Sequence, residues 1–144
     1  MKNSSQAKKN HIFARKKFMD NRLLISETRQ YKVIFPTTLN DNETLFGGIA
    51  MQWMDEVAYI TATRFVRKKM VTVAVKKVNF ILPVKAGKIA EIIGKVINVG
   101  VAKIEILVEI YIEEMYSDKK EKAIDAIFVF AAINNFSKPI RIDC

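Results

Sequence analysis

One long stretch, from Ile49 to Arg67, contains neither glycine nor proline and constrains the fold more than any other part of the chain. Twelve of the 18 residues from Ile49 to Val66 are apolar, which predicts a helix with apolar side chains on most of its sides. Such a helix is buried on most sides, whereas a surface helix carries a single apolar stripe. The rest of the chain must therefore wrap around this helix.

The sequence after this helix changes to the alternating, β-branched pattern that is typical of strands. The clearest case is 103–113, where every second residue from Ile104 to Ile112 is β-branched and apolar. Short turns separate these strands, so neighbours should pair antiparallel, and we expect a β-bulge at Gly94. One sheet curled around one helix predicts an α+β fold. The predicted strands span residues 28–35, 71–82, 89–99, 103–113 and 123–133.

Positive charge is concentrated at the N-terminus. The 144-residue chain has a formal net charge of +9, and residues 1–23 contain seven basic residues and one acidic residue. We predict a flexible basic tail over 1–23 and a single domain over 24–144, an ordinary length for one domain. The tail is either a solvated extension or a segment that attracts anionic partners, and its acid-poor composition also fits a mitochondrial presequence.

No stretch of the sequence approaches the roughly 18 consecutive apolar residues that a membrane span requires. The tail also has no apolar segment of the kind that secretory signals contain. Helix-turn-helix, RNP and zinc patterns are absent, so nothing beyond the charge of the tail favours a nucleic-acid partner. We therefore expect a cytoplasmic protein without a membrane span and without a nucleic-acid partner.

The sequence contains one cysteine, Cys144, and one histidine, His11, at opposite ends of the chain. An internal disulfide is therefore impossible, and no cysteine or histidine cluster can bind zinc. Ser-His-Asp and Cys-His catalytic sites are excluded for the same reason. Any catalysis must use carboxylates, amides, hydroxyls and backbone dipoles, and we predict no metal site.

Three places could hold such chemistry. Gly47 and Gly48 open the helix, where free N–H groups can bind an anion or polarise a carbonyl, although a simple tight turn is the alternative. Asp55 lies in an otherwise apolar part of the helix, where an unpaired carboxylate is costly. It is either catalytic or paired with Arg64, Lys68 or a neighbouring subunit. Asn40 lies in an Asn-rich and Asp-rich loop and either orients a reactant or serves the turn.

These residues lie in two of three sequence blocks that together resemble the acyl-CoA thioesterase family of the hotdog fold. PTTLNDNETLFGG at 36–48 is similar to the loop of the family that ends in TLFGG, and MQWMDEVA at 51–58 is similar to its WMDEA helix. VTVAVKKVNF at 71–80, followed by PVKAG at 83–87, is similar to its next strand and turn. The resemblance extends over residues 27–133. TLFGG and WMDE at this spacing are much more specific together than either is alone.

The resemblance implies an antiparallel sheet wrapped around one long central helix, in a homodimer whose two sheets join and which often assembles further into a hexamer. It implies hydrolysis of acyl-CoA thioesters at sites shared between two subunits, with no cofactor because CoA is part of the substrate. Asn40 and Asp55 fall on the catalytic residues of the family. The remaining predicted site residues bind the substrate: Phe46, Gly47, Gly48, Thr72, Lys77 and Asn79.

The chain also departs from the family. Glu43 stands where glycine is usual, Tyr59 where a small residue is common, Phe65 in place of a frequent histidine and Lys103 where many members have serine. These changes affect the shape of the pocket more than the reaction. The alternative function is a non-catalytic acyl-CoA or nucleotide-binding module. A hotdog dehydratase is disfavoured, because that class typically depends on histidine and the sequence has none between Ile12 and Cys144.

Overall fold

The computed structural model describes residues 2–24 and 26–142, so Cys144 lies outside the described residues. Within these described residues the fold has two long helices and five strands, with a short 3₁₀ turn at Pro36–Thr38 before the second helix. The elements are α1 (Lys2–Leu24), β1 (Thr28–Val33), α2 (Gly47–Val66), β2 (Met70–Phe80), β3 (Lys88–Val99), β4 (Lys103–Glu114) and β5 (Lys120–Ala132).

The five strands form a single sheet in the order β1-β3-β4-β5-β2, and every neighbouring pair is antiparallel. Strand β2 crosses over after α2 to pair with β5, which leaves β1 and β2 at the two edges. The helix α2 packs against the inner face of this sheet. The predicted α+β fold, with an antiparallel sheet around one long helix, is confirmed.

The core lies between α2 and the inner face of the sheet. The alternation predicted for β4 is confirmed, because Ile104, Ile106, Val108 and Ile110 are all fully buried. Each such side chain contributes about 1.5–3 kcal/mol when it is removed from water. The helix contributes one buried face, which carries Ala50, Met54, Val57, Ala58, Thr61, Ala62, Phe65 and Val66.

The prediction that α2 is buried on most of its sides is wrong for a single chain. Met51 and Trp53 are only partly buried, and the Tyr59 side chain is 47% exposed. The reason is that one sheet covers only one face of a helix. The accessible apolar residues of α2 face both edges of the sheet, because the centre of the Trp53 ring lies 5.4 Å from Lys32 Nζ of β1 and Tyr59 packs near Phe130 of β5, the neighbour of β2.

Gly94 does not form the predicted bulge. It pairs regularly with Val108, and the register shift between β3 and β4 lies further along, between Val96 and Asn98. A Cβ atom at Gly94 would lie 2.7 Å from Thr61 Oγ1 and 3.0 Å from Val57 Cγ1 of α2. The glycine is therefore required because the helix approaches the sheet closely at this point.

The N-terminal segment, predicted as a tail, forms the helix α1 in the structure, and most of its described side chains are exposed. Near its end, the Arg22 guanidinium lies 4.7 Å from the centre of the Phe65 ring of α2, which connects α1 to the core. Among the described helices, neither α1 nor α2 has the length and hydrophobicity needed to cross a membrane. The flexibility of this segment and the division of the chain at residue 23 stay predictions.

Candidate active site

Asn40 lies in a turn that its own side chain closes. Its Oδ1 atom accepts hydrogen bonds from the N–H of Asn42 at 2.9 Å, the N–H of Thr44 at 3.2 Å and the hydroxyl of Thr44 at 3.2 Å. The backbone N–H of Asn40 donates to the carbonyl of Thr44 at 2.8 Å. Asparagine is favoured in such turns because its side chain can replace a backbone acceptor.

These contacts fix the orientation of the Asn40 amide. A backbone N–H can only donate, so the atom that receives two of them must be the oxygen, and Nδ2 points away as a donor. Among the described residues, no protein atom accepts a hydrogen bond from Asn40 Nδ2. The turn therefore holds a free amide donor in a fixed position.

Asn40 borders a cleft of about 440 Å³ between the loop and the end of β2. Gly47, the first residue of α2, lines the same cleft, and a Cβ atom there would lie 3.6 Å from the Phe80 ring. The first N–H groups of a helix have no partner inside the helix and lie at the positive end of its dipole. The other lining residues are mostly apolar: Thr44, Leu45, Phe80, Ile81, Leu82, Pro83, Val84 and Ile124.

Asp55 lies two turns into α2 and is partly exposed. Its Oδ1 atom accepts a hydrogen bond of 2.9 Å from the hydroxyl of Thr72, near the start of β2. The cations considered as its partners bind elsewhere: Arg64 donates to Thr28, and Lys68 donates to the carbonyl of Arg141. The carboxylate is accessible because it lies between α2 and an edge strand.

The two predicted catalytic residues therefore belong to separate parts of one chain. Asp55 is not among the residues that line the cleft beside Asn40. Along α2, Asp55 lies about 12 Å from Gly47, at 1.5 Å per residue. We call Asn40, Thr44, Gly47 and the adjoining cleft the amide half-site, and Asp55 with Thr72 the carboxylate half-site.

The structure places Asn79 on the opposite face of the sheet from α2. Its Nδ2 atom donates to Asp125 Oδ1 at 2.8 Å, and Asp125 alternates along β5 with the buried core residues Ile124 and Ala126. Burial raises the pKa of Asp125, but hydrogen bonds from Lys122 and Asn79 outweigh it and hold that pKa below its usual value. Asn79 is thus already engaged, away from both half-sites.

The other residues that are predicted to bind the substrate lie at different places relative to the two half-sites. Phe46 precedes α2 and is 54% exposed, and its ring would lie 3.7 Å from a Cβ atom at Gly48. Lys77 has a left-handed backbone, with φ of 53°, inside the register shift of β2, where its carbonyl accepts a hydrogen bond of 3.2 Å from Asn79. Only Thr72 directly contacts a predicted catalytic side chain.

Sequence reasoning did not identify Thr44 or Phe80 as part of the site. A signal for Thr44 was present, because an asparagine and a hydroxyl residue stand four positions apart in a polar loop. This spacing is typical of a turn that side chains close. Phe80 gave no such signal, because its place at the cleft follows from the crossover of β2 and from the register shift between Lys76 and Asn79. Across residues 2–24 and 26–142, no three histidine, cysteine, aspartate or glutamate side chains are grouped as metal ligands would be.

Comparison with known proteins gives consistent matches. The sequence pattern of the thioesterase superfamily matches residues 42–118. A Bacillus subtilis protein, named as an uncharacterized acyl-CoA thioester hydrolase, YkhA, is 29% identical over 109 residues, which are 76% of this chain and 63% of that protein. The chain therefore spans less than two thirds of the length of this relative.

Solved structures show the same architecture. An acyl-CoA hydrolase from Staphylococcus aureus, in complex with butyryl coenzyme A, coenzyme A and coenzyme A disulfide, superposes with a TM-score of 0.78 at 29% identity, covering 83% of this chain and 73% of that one. A hexameric broad-specificity acyl-coenzyme A thioesterase, solved with an aspartate replaced by alanine, gives a TM-score of 0.75 at 30% identity. That match covers 79% of this chain and 84% of the other.

The Staphylococcus aureus enzyme has also been solved in three variants in which an asparagine, an aspartate or a threonine is replaced by alanine. In that enzyme the asparagine precedes the aspartate by fifteen positions, and the aspartate precedes the threonine by seventeen. Asn40, Asp55 and Thr72 are separated by the same two intervals. The three residue types thus recur at the same spacing in both chains.

Proposed function

The chain belongs to the thioesterase superfamily, and we propose that it hydrolyses acyl-CoA thioesters to a free fatty acid and CoA. The family match bears out the resemblance carried by the three sequence blocks, and the sheet around α2 is the hotdog fold. One observation carries the proposal. A fixed amide donor, Asn40, and a hydroxyl-bonded carboxylate, Asp55 with Thr72, occur at the spacing found in an enzyme that binds butyryl coenzyme A.

The two half-sites supply complementary parts of the reaction. Asn40 Nδ2 and the N–H of Gly47 donate to the thioester oxygen and stabilise the negative charge that develops there, an effect worth about 10²–10³ in rate for one donor. Asp55 takes a proton from the attacking water. General base catalysis of this kind raises the rate by about 10²–10⁴-fold. The water oxygen bonds to the carbonyl carbon, the C–S bond breaks, and the proton passes to the CoA thiolate.

Thr72 orients the base. Its hydroxyl donates to Asp55 Oδ1, which leaves Oδ2 for the water. A carboxylate held in this way keeps one acceptor atom directed at the reactants, as a general base requires. Whether Asp55 acts as a base or attacks the carbonyl itself, the same orientation serves the step.

We propose that each site is completed by two copies of the chain. The half-sites lie apart in one chain, and the edge strand β2 exposes Val73, Val75 and Val78. Pairing β2 with the same strand of a second copy would cover this edge and bring Asn40 of one subunit to Asp55 of the other. Isologous pairing produces two equal sites. The hexameric relative supports oligomerisation, and further assembly of such dimers into a hexamer fits it.

The remaining expectations follow from this chemistry and stay predictions. The reaction as proposed needs no cofactor, because carboxylate, amide and hydroxyl groups carry each step and CoA enters as part of the substrate. A cytoplasmic location suits a hydrolase of CoA esters. The proposed reaction gives no role to nucleic acid.

The test is release of free thiol from a panel of acyl-CoA substrates. The wild-type protein should turn over at least one of them, and Asn40→Ala and Asp55→Ala should each lower the rate by about 100-fold or more. Matched controls are Asn42→Ala in the same loop, which keeps its backbone N–H, and Glu56→Ala, which removes an exposed carboxylate next to Asp55.

Calorimetry with CoA separates the proposed activity from the alternative. If the wild-type protein binds CoA but releases no thiol from any substrate, the chain is a binding module. If Asn40→Ala and Asp55→Ala keep wild-type rates, the assignment of both half-sites is wrong. Circular dichroism shows whether each variant is folded.

A further inference from the structure

Tyr59 stands beside the carboxylate half-site. It follows Asp55 by four residues on α2, so the two side chains project from the same side of the helix. Its ring lies 6.3 Å from the ring of Phe130, measured between ring centres and tilted by 54°. Phe130 is fully buried on β5 and pairs across the sheet with Thr72, which donates to Asp55.

The Tyr59 ring is a large apolar surface that the chain itself does not cover. The side chain is 47% exposed, and no described residue forms a hydrogen bond with its hydroxyl. Ala62, one turn further along the same side of α2, is fully buried. The side of α2 that continues from Asp55 is therefore formed by aromatic and aliphatic groups, the Tyr59 ring among them.

On the premise of the proposed acyl-CoA hydrolysis, we propose that Tyr59 limits the length of the acyl chain and makes the enzyme prefer short acyl thioesters. A thioester carbon at Asp55 has two arms, the sulfur arm with its polar pantetheine and the hydrocarbon acyl arm. An apolar wall suits the hydrocarbon arm, because polar amides placed there would lose hydrogen bonds to water. The ring of Tyr59 then occupies the space that a longer chain would need.

The size of the expected effect follows from the hydrophobic effect. Each buried methylene group favours binding by about fourfold. A shortened side chain at position 59 that admits even two more methylenes should therefore raise kcat/KM for a long substrate by about tenfold or more. Short substrates already fit, so their kcat/KM should change little.

The experiment compares butyryl-CoA, hexanoyl-CoA, decanoyl-CoA and palmitoyl-CoA by thiol release. Wild-type protein should prefer the shorter esters, and Tyr59→Ala should raise the decanoyl to butyryl ratio of kcat/KM by about tenfold or more. Tyr59→Phe should keep the wild-type profile, because the size of the ring sets the limit. Tyr116→Ala is the matched control, since Tyr116 is 98% exposed and lies in the turn between β4 and β5.

A larger side chain gives an independent test that does not depend on the stability of the alanine variant. Tyr59→Trp should lower kcat/KM for hexanoyl-CoA more than for acetyl-CoA. An unchanged chain-length profile in both Tyr59→Ala and Tyr59→Trp overturns the proposal. So does an equal change in KM for every ester, because it would place Tyr59 against the CoA arm. Failure of the hydrolase proposal looks different, as the wild-type protein would then release no thiol from any substrate.

Discussion

The two half-sites are held in place in different ways. The turn around Asn40 is closed by groups no more than four residues away in the sequence, chiefly the N–H and hydroxyl of Thr44. Asp55 instead depends on Thr72, which reaches it from another element, β2. One half-site is thus set by local turn geometry and the other by the packing of an edge strand against a helix, so they should respond differently to mutation and to assembly.

The largest expected effect comes from combining two inactive variants. Asn40→Ala damages the amide half-site and Asp55→Ala the carboxylate half-site, so a mixed dimer contains one intact site. With free exchange of subunits, half of the dimers are mixed and each has one of two sites, which should restore the rate to about one quarter of wild type. Thiol release before and after mixing measures the recovery.

Subunit exchange is verified separately, with differently tagged copies that are purified together after mixing. The inactive control is the double variant, which carries both substitutions in one chain. No dimer of this variant can contain an intact site. If exchange occurs and the rate stays at background, each site lies within one chain, and the sharing of the half-sites is refuted.

Thr72→Val should have the next largest effect. Valine keeps the β-branched shape that suits a strand, but it removes the hydrogen bond to the Asp55 carboxylate. Hydrogen bonds to charged groups contribute about 1.5–3 kcal/mol, so kcat should fall by about 10- to 100-fold while KM changes little. Thr72→Ser should recover most of the rate. A loss confined to KM would show that Thr72 binds the substrate and does not orient the base.

Thr44→Val should have a smaller effect than Thr72→Val. Valine removes one of three hydrogen bonds to Asn40 Oδ1, and the two from backbone N–H groups remain. A neutral hydrogen bond contributes about 0.5–1.5 kcal/mol, so kcat should fall by about two- to tenfold. The control is Thr38→Val, whose lost hydroxyl donates to the Phe35 carbonyl at 2.8 Å and does not contact Asn40. Equal effects of the two valine variants would argue against a role for Thr44 in positioning Asn40.

The smallest expected effect concerns the backbone of the same loop. Glu43 has a φ of 58°, in the left-handed region, at the position where the family usually has glycine. This conformation costs a residue with a side chain about 1–2 kcal/mol, and the flexibility of glycine in the unfolded state offsets about 0.5–1 kcal/mol. Glu43→Gly should therefore raise the free energy of unfolding by about 0.5–1 kcal/mol, measured by urea denaturation. Asp41→Gly, at a residue without a positive φ, should lower it.

The sequence predicts most where local pattern decides the structure. The alternation of β4 and the mostly apolar stretch 49–66, which contains no glycine or proline, specify β4 and α2 directly, and the Asn-rich loop indicates a turn at Asn40. It predicts least where a contact is made in three dimensions. The role of Gly94 depends on Thr61 and Val57 of α2, which no local pattern connects to it.

Asn79 shows a second reason why the sequence does not reveal where a side chain lies, although its role in substrate binding stays a prediction. Strand side chains alternate between faces, so a register shift moves every later residue to the other face. The shift between Lys76 and Asn79 of β2 directs Asn79 to Asp125 and brings Phe80 to the cleft beside Gly47. A one-residue irregularity of this kind has no clear sequence signal, yet it decides which side chains of an edge strand reach the substrate.

The exposed edge of β2 has a consequence for how the activity depends on the amount of protein. If each site needs two copies, specific activity is constant only above the dissociation constant of the dimer. Below it, the number of complete sites grows with the square of the total concentration. Abundance of the protein, and not only of its substrate, would then set whether thioesters are cleaved, and a dilution series would show a rate that falls faster than the protein is diluted.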